Sequence, residues 1–307
     1  DPCCGSGGMF VQSLKFVQSH HGNTKDISVY GQEFTATTYK LAKMNLAVRG
    51  LSANLGDIPA DTFFKDQHPD LKANYIMANP PFNLKEWRAA DELISDPRWS
   101  GYETPPTGNA NYAWILHMVS KLSEHGVAGF VLANGSMSTN TGSEGKIRQK
   151  MVENDLVDCM VTLPGQLFYT TPIPVCMWIL SKKKRRAGKT LFIDARSLGQ
   201  IDERSKLRFL SKKEILMIGK IYHNWMLGED YSDIAGFCAS ATTGQIANKD
   251  FSLTPGLYVG NEKLMFDDTQ FEETMMSLCS ELSNQIKESV KLDANVKASL
   301  NSIGFDI

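Results

Sequence analysis

Apolar residues in the first two hundred positions recur at two spacings, one typical of β-strands and one typical of α-helices. Short apolar runs predict five strands, over 75–82, 127–133, 156–164, 173–180 and 190–195. Three- and four-residue spacing predicts three helices in this part, over 9–18, 35–50 and 111–126, and a fourth beyond it, over 212–227. Their alternation predicts a doubly wound, mostly parallel α/β sheet, in which the last two strands flank a basic turn and form an antiparallel terminal hairpin.

The pattern changes after residue 196. A polar stretch over 229–258 follows the last core helix, whereas 270–303 contains neither Gly nor Pro. That last segment predicts a helix with one narrow apolar stripe, formed by Phe271, Met275, Leu278, Leu282, Ile286, Val296, Leu300 and Ile303. Such a stripe packs on its own domain or on a partner subunit, and we favour the partner. We therefore divide the chain into a core (1–228), a connector (229–262) and a C-terminal helical docking segment (263–307).

Composition and charge exclude several functional classes. Of 307 residues, 42% are hydrophobic and 21% charged, which excludes a mostly disordered chain. The 32 basic and 34 acidic side chains exclude nucleic-acid binding by bulk positive charge. No apolar run reaches the roughly 20 residues of a membrane span. The six cysteines and the histidines lack metal-ligand or disulfide-framework spacing, so we expect reduced thiols in the cytoplasm and no metal site.

A glycine-rich turn opens the chain. Asp1 precedes 5-GSGG-8, and a predicted helix follows. Glycines let the backbone approach a ligand at a helix N-terminus. The dinucleotide-binding fingerprint would need a glycine where Phe10 stands, which argues against NAD. Asp1 instead offers a carboxylate to the ammonium group of a ligand.

Two further carboxylates occur where strands are expected to end. Glu33 closes the segment 27–33, in which Ile27 and Val29 alternate with polar residues, and it can accept two hydrogen bonds from a ribose diol. Asp57 falls where a third strand should end and can accept a hydrogen bond from an adenine amino group. Each is equally compatible with a solvated strand-end acid, so neither identifies a cofactor by itself.

The motif 79-NPPF-82 follows an apolar strand, at the edge where open α/β sheets bind ligands. The amine on an aromatic ring is a poor nucleophile because its lone pair is delocalised into the ring. The Asn79 side-chain oxygen and the Pro80 carbonyl can accept both of its N–H bonds and so build electron density on nitrogen. Pro80 and Pro81 stiffen the loop and remove competing donors, and Phe82 offers a flat face to a planar substrate. The motif therefore favours chemistry on an exocyclic amine.

Taken together, these motifs resemble a known family. Asp1-Pro2 with 5-GSGG-8, then 31-GQE-33, then 79-NPPF-82, looks like an S-adenosylmethionine-dependent N6-adenine methyltransferase of the gamma motif order. Segments 28–50, 144–184 and 250–259 extend the likeness to the modification (M) subunit of type I restriction-modification systems, over most of the chain. The resemblance implies the methyltransferase fold in a bacterial or archaeal cytoplasm. It also implies that a helical domain and most of the first strand precede Asp1, and the family often has a proline where 133-ANGSM-137 stands.

By this resemblance the candidate residues take specific roles, with S-adenosylmethionine as cofactor and no metal. Cofactor-binding residues would be Asp1, Gly5, Ser6, Gly7, Glu33 and Asp57. Asn79, Pro80, Pro81 and Phe82 would form the catalytic loop, which holds an adenine flipped out of the duplex. Phe168 and Tyr169 match an aromatic region that helps to clamp this base, although packing before a strand is the alternative for both. Methyl transfer would be a single in-line step that depends on positioning and desolvation.

The resemblance also implies partners. These are double-stranded DNA, a specificity (S) subunit bound through the C-terminal helix, and a restriction (R) subunit in the full complex. The run 182-KKKRR-186 fits DNA phosphate contacts and a solvated turn equally well. Two other functions remain open: methylation of protein glutamine or of an RNA base, and a catalytically incompetent scaffold. Asn79 suits attack by an amine, which disfavours a cysteine-dependent cytosine methyltransferase.

Overall fold

The computed structural model describes residues 1–169, 171–260 and 268–302, and the chain falls into two units, Asp1–Gly260 and Asn261–Ile307. The strands of the first unit are β1 Ala73–Ala78, β2 Leu122–Ala133, β3 Val157–Thr162, β4 Val175–Ser181, β5 Lys189–Asp194, β6 Gln200–Ile201, β7 Arg208–Phe209 and β8 Cys238–Thr242. Its helices are α1 Gly8–Ser19, α2 Ala36–Val48, α3 Asn111–Lys121, α4 Glu144–Glu153, α5 Lys212–Leu227 and α6 Thr243–Ala247. The second unit contains α7, Asp268–Ser302.

Six strands form one mixed sheet in the order β1-β2-β4-β3-β5-β8. The pairs β1/β2 and β3/β5 are parallel, whereas β4 runs antiparallel to both β2 and β3, and β8 runs antiparallel to β5. Four of the six strands therefore point in one direction, which confirms the mostly parallel α/β fold. The carboxyl ends of β1 and β2 consequently lie at the same edge of the sheet.

The predicted terminal hairpin is wrong. β4 and β5 are consecutive in sequence, but β3 lies between them in the sheet. A continuous apolar run such as that of β4 indicates burial on both faces of the strand, but it does not specify which strands pair with its edges, so β3 can lie between β4 and β5. The turn over 182–188 therefore crosses one strand instead of closing a hairpin.

Three other boundaries differ from the prediction. The helix expected over 111–126 ends at Lys121, because Leu122 is extended and begins β2. Within the described residues, 27–33 forms no regular strand; Tyr30 makes one isolated parallel bridge with Asn54, and neighbouring backbone groups bond to irregular segments on either side. The region expected to be a polar connector contains β8, which pairs with β5 along its whole length, so this part belongs to the sheet.

Helices cover both faces of the sheet, as the doubly wound prediction requires. Met160 and Phe192 pack in the cluster that contains α3, whereas Cys159 and Leu191, one position away on the same strands, pack against Trp225 of α5. α3 is buried on nearly every side. A third cluster joins α1 and α2 beneath the N-terminal turn, and it holds that turn beside the residues that precede α2.

The second unit is described by itself. α7 is a 35-residue helix, as the Gly- and Pro-free segment predicts. Met275, Leu278, Leu282 and Ile286 of the predicted stripe are each about half exposed, and so is Val296. The side chain of Phe271, the residue Ile303 and residues 263–267 of the expected docking segment lie outside the described residues.

Candidate active site

The N-terminal turn has the backbone that its glycines predict. Gly5 and Gly7 have φ values of +54° and +75°, in the left-handed region that favours glycine. The Gly7 N–H donates to the Cys4 carbonyl at 2.8 Å, and α1 begins at the next residue. A β-carbon at Gly5 would meet no atom within 4 Å. Open space therefore lies beside the Gly5 backbone, next to the start of a helix.

Two of the predicted carboxylates flank this turn. Glu33 Oε2 accepts the Gly5 N–H at 3.1 Å, and its Oε1 accepts the Thr35 N–H at 2.8 Å. Asp1 Oδ1 accepts the Cys3 N–H at 2.9 Å. The structure thus brings together Asp1, Gly5 and Glu33. Because each carboxylate oxygen can accept more than one hydrogen bond, both groups retain capacity for a ligand with an ammonium group and a diol, and the turn fits S-adenosylmethionine.

The other two predicted cofactor residues are less closely engaged. Ser6 is exposed, and its carbonyl accepts a hydrogen bond from Asn45 at 2.8 Å. Asp57 is also exposed and donates its backbone N–H to Gln67 at 3.2 Å. Within the described part of the chain, no hydrogen bond joins Asp57 to Asp1 or Glu33. The Asp57 side chain could therefore contact only a part of a ligand that extends beyond the N-terminal glycine turn.

The NPPF loop directly follows β1. Ala78 pairs with Phe130 of β2, so Asn79 emerges at the carboxyl edge of the sheet. Asn79 is exposed, whereas Pro80 is buried beneath it. Among the described residues, no protein group is hydrogen-bonded to the Asn79 carboxamide. The Asn79 carboxamide, which the sequence analysis expects to accept a hydrogen bond from the reacting amine, is therefore available to a ligand.

Cys3 connects the turn to the loop. Its Sγ lies 3.5 Å from Asp1 Oδ1, and the backbone N–H of Asn79 lies close enough to the sulfur to affect its titration. Burial raises the pKa of the Cys3 thiol to about 12, against a smaller lowering by that N–H. The thiol is therefore neutral and a poor nucleophile near neutral pH, in agreement with the rejection of a cysteine-dependent mechanism.

Phe168 and Tyr169 have different surroundings. The Phe168 ring contacts Phe82 edge to face, with centroids 6.0 Å apart and planes at 73°. Tyr169 is 86% exposed. The structure therefore brings Phe168, but not Tyr169, to the aromatic residue of the catalytic loop.

The basic run lies away from this edge. β4 runs antiparallel to β2, from Val175 opposite Ala133 to Ser181 opposite Val127, so the turn 182–188 leaves toward the amino ends of the parallel strands. Lys184 within it pairs with Asp155 at 2.6 Å. Asn79 lies at the opposite edge of the sheet. The basic run is therefore not placed to contact DNA phosphates close to a base held at Asn79.

Sequence reasoning missed two asparagines behind the loop. Asn83 directly follows Phe82 with a φ of +53°, and Asn111 opens α3; their side chains and backbone are hydrogen-bonded to each other. Asparagine is the residue, after glycine, that most readily adopts a left-handed conformation. An Asn immediately after a rigid Pro-Pro-Phe segment was therefore the available signal.

Two searches of the described residues bear on other site types. No described helix combines the length and apolar character that crossing a bilayer requires. No group of three or more His, Cys, Asp or Glu side chains in the described ranges has an arrangement suited to a metal ion.

Comparisons with known proteins agree with the site. A family model described as N-6 DNA Methylase matches residues 1–266. The chain is 48% identical over 306 residues to the Type I restriction enzyme HindI methylase subunit of Haemophilus influenzae, covering all of this chain and 68% of that protein. It is 40% identical over 315 residues to the MjaIX methylase subunit of Methanocaldococcus jannaschii, covering 99% of this chain and 55% of that protein.

Solved structures extend the similarity to three dimensions. The type I restriction-modification methyltransferase subunit from Streptococcus thermophilus superposes with a TM-score of 0.75 at 27% identity, covering 84% of this chain and 53% of that one. The chain thus spans about half to two thirds of the length of these relatives. The similarities confirm the predicted family, fold and N6-adenine methyltransferase class. The chain belongs to the N-6 DNA methylase family, among the methylase subunits of type I restriction enzymes.

Proposed function

We propose that this chain transfers a methyl group from S-adenosylmethionine to the N6 amino group of adenine in double-stranded DNA, as the catalytic core of a type I modification subunit. One observation carries the proposal. The unengaged Asn79 carboxamide emerges at the sheet edge directly beside the turn that holds Asp1 and Glu33, with Cys3 between them. A base at Asn79 and a cofactor on the turn would therefore be neighbours.

The catalytic loop activates and orients the amine. S-adenosylmethionine, when bound, supplies a methyl group on a positively charged sulfur. The Asn79 carboxamide oxygen and the Pro80 carbonyl accept the two N–H bonds of N6, which directs the nitrogen lone pair out of the ring plane. Held in this way, the N6 nitrogen would accept that methyl group, the sulfur would leave as a neutral thioether, and the amine would release one proton to solvent. Prolines at 80 and 81 hold these acceptors in place, so little reorganisation is needed during transfer.

Aromatic residues hold the flipped base. Phe82 stacks on the adenine face, and the edge of Phe168 supports the Phe82 ring from the side. Tyr169 is 86% exposed, so its ring is accessible to a base held at this edge. A stacked, desolvated base loses competing water contacts at N6, and this strengthens its hydrogen bonds to Asn79 and Pro80.

The turn would hold the cofactor. Asp1 would pair with the ammonium of the methionine portion, and Glu33 would accept hydrogen bonds from the ribose hydroxyls. Backbone groups of Gly5, Ser6 and Gly7 lie against the ligand because glycine at 5 leaves open space there. Asp57, on its exposed turn, accepts from the adenine amino group of the cofactor.

The assembly requires other subunits. We propose that the exposed apolar stripe of α7 docks on a specificity subunit, which selects the DNA sequence, and that a restriction subunit joins in the full cytoplasmic complex. Substituting Leu282→Glu and Ile286→Glu together should abolish co-purification with the specificity subunit without lowering the melting temperature of the core. Retained co-purification would reject α7 as the docking element.

Methylation of DNA by the complete gene product, co-expressed with its specificity subunit, tests the enzymatic proposal. Asn79→Ala should abolish N6-methyladenine in mapped genomic DNA while cofactor binding, measured by calorimetry, stays within about twofold. In the matched variant Asn154→Ala, the side-chain amide that is lost is hydrogen-bonded, among the described residues, to the Tyr102 hydroxyl alone, and this variant should methylate normally. Absence of N6-methyladenine with the unaltered protein, or methyl transfer to a protein or RNA instead, would reject the proposal.

A further inference from the structure

The catalytic loop is attached to the fold at both ends. At its start, the parallel ladder between β1 and β2 fixes Ala78 opposite Phe130. At its end, the Leu84 carbonyl accepts the Ala110 N–H at 2.9 Å, just before α3 begins. Residues 79–83 span the interval between these attachments. The position of the two acceptors on Asn79 and Pro80 therefore depends on how firmly the exit of the loop is held.

A reciprocal pair of asparagines holds that exit. The Asn83 backbone N–H donates to Asn111 Oδ1 at 3.1 Å, and the Asn111 Nδ2–H donates to Asn83 Oδ1 at 2.9 Å. Asn109 Nδ2–H adds a longer bond to Asn83 Oδ1 at 3.2 Å, and Asn109 Oδ1 accepts the Asn111 N–H at 2.9 Å. Three amide side chains thus close one network directly behind Phe82.

Asn111 is suited to act as the fixed member of this network. It is 1% exposed and opens α3, a helix buried on nearly every side. Asn83, in contrast, is exposed and has a left-handed backbone, a conformation that most side chains disfavour. The hydrogen bonds from Asn111 therefore stabilise a backbone turn that would otherwise relax and carry the loop with it.

We propose that Asn111 is a positioning residue for methyl transfer, which acts through Asn83 to hold Asn79, Pro80 and Phe82 in their reactive arrangement. The inference rests on the proposed function of the loop and adds a residue to it. Asn111 touches neither base nor cofactor. Loss of the Asn111 side chain should displace the loop by a fraction of the distance between the N6 nitrogen and the methyl carbon. Displacements near 1 Å can lower a rate by roughly 100-fold.

Steady-state kinetics of the complete protein with its specificity subunit tests this role. Asn111→Ala should lower kcat by about 10- to 100-fold and leave the KM for S-adenosylmethionine within about twofold, because the turn at Asp1 and Glu33 is untouched. Asn83→Gly keeps the left-handed backbone but removes the accepting carboxamide, and should lower kcat by a smaller factor. The double variant should be no slower than Asn111→Ala, since both substitutions break the same bond.

Thr190→Val is the matched control for lost stability. It removes one buried hydrogen bond, from Thr190 to the Val157 carbonyl at 2.8 Å, at the start of β5. Its kcat should equal that of the unaltered protein at temperatures where both are folded.

Three results would overturn the inference: an unchanged kcat in folded Asn111→Ala, a rise in cofactor KM with kcat unchanged, or additive losses in the double variant. If Asn111→Ala does not fold, an unchanged kcat in Asn83→Gly would count equally against it. An unaltered protein that methylates no adenine would instead reject the proposed function itself.

Discussion

Replacing Glu33 with glutamine gives a direct measure of how the turn binds its ligand. The Glu33 carboxylate accepts two backbone N–H bonds, from Gly5 at 3.1 Å and from Thr35 at 2.8 Å. A glutamine amide has one oxygen and one NH₂ group. Its oxygen can accept one of the two backbone N–H groups, but its NH₂ group, itself a donor, would face the other N–H. A hydrogen bond to a charged group contributes about 1.5–3 kcal/mol. The substitution should therefore cost about 2 kcal/mol of stability.

The same substitution should weaken the binding of the cofactor. In the proposed complex Glu33 accepts from both ribose hydroxyls, and the Glu33→Gln variant would lose one charged acceptor. A loss of about 2 kcal/mol corresponds to roughly 30-fold weaker binding. Because about 1 kcal/mol shifts the melting temperature of a domain of this size by about 2–4 °C, we expect a fall of about 4–8 °C as well.

Calorimetric titration with S-adenosylmethionine and a thermal melt together test this reasoning. Glu153→Gln is the matched control, because it removes the same charge from an exposed position at the end of α4. Its dissociation constant should equal that of the unaltered protein. An unchanged cofactor affinity in folded Glu33→Gln would refute the assignment of Glu33 to the ribose, whereas a lower melting temperature alone would show that Glu33 only supports the turn.

Three other outcomes are expected. Phe82→Ala should lower base binding and turnover by about 10- to 100-fold, because stacking on an aromatic ring contributes about 1–3 kcal/mol per base. Phe82→Tyr should keep most activity. The fluorescence of 2-aminopurine at the target position reports whether the base is stacked. In the folded protein at pH 8, iodoacetamide should label the exposed Cys279 but not the partly buried Cys3, because desolvation raises the pKa of the Cys3 thiol to about 12. Equal labelling of the two, seen by mass spectrometry, would contradict the raised pKa of Cys3. Burial raises the pKa of Glu144, so the stability of the fold should fall as pH rises from the ordinary carboxyl pKa to the raised value, and Glu144→Gln should remove this decline. If the melting temperatures of the variant and of the unaltered protein changed in parallel with pH, the Glu144 carboxyl would be solvated.

Local signals in the sequence predicted the turn and the loop correctly because each depends on a few adjacent residues. Glycines at 5 and 7 indicated a left-handed backbone, and the structure has it. The apolar run before Asn79 indicated a strand, and β1 ends at Ala78. Glu33 reaches the turn without a regular strand beneath it, because single backbone bonds from Gln32 to Asp1 and from Gly31 to Asn54 suffice to place it.

Errors arose where the outcome depended on pairing between distant segments. The apolar pattern of β4 reports burial, but it does not report which strands are its neighbours, so the insertion between β2 and β3 was missed. The strand β8 was missed for a related reason. Its sequence, 238-CASAT-242, is short and weakly apolar, and it becomes a strand only because the edge of β5 is available to pair with it.

The arrangement of charges is consistent with a division of labour in the proposed complex. The groups assigned to the flipped base are the Asn79 carboxamide, the Pro80 carbonyl and the rings of Phe82 and Phe168, all of which are neutral. They can specify an adenine but add little long-range attraction to DNA, because most affinity for DNA comes from phosphate contacts. The turn 182–188 leaves toward the opposite edge of the sheet, and the chain has a net charge of −2. In the proposed complex, partner subunits and local basic patches therefore supply the attraction to phosphates, while this chain supplies the groups that hold the adenine.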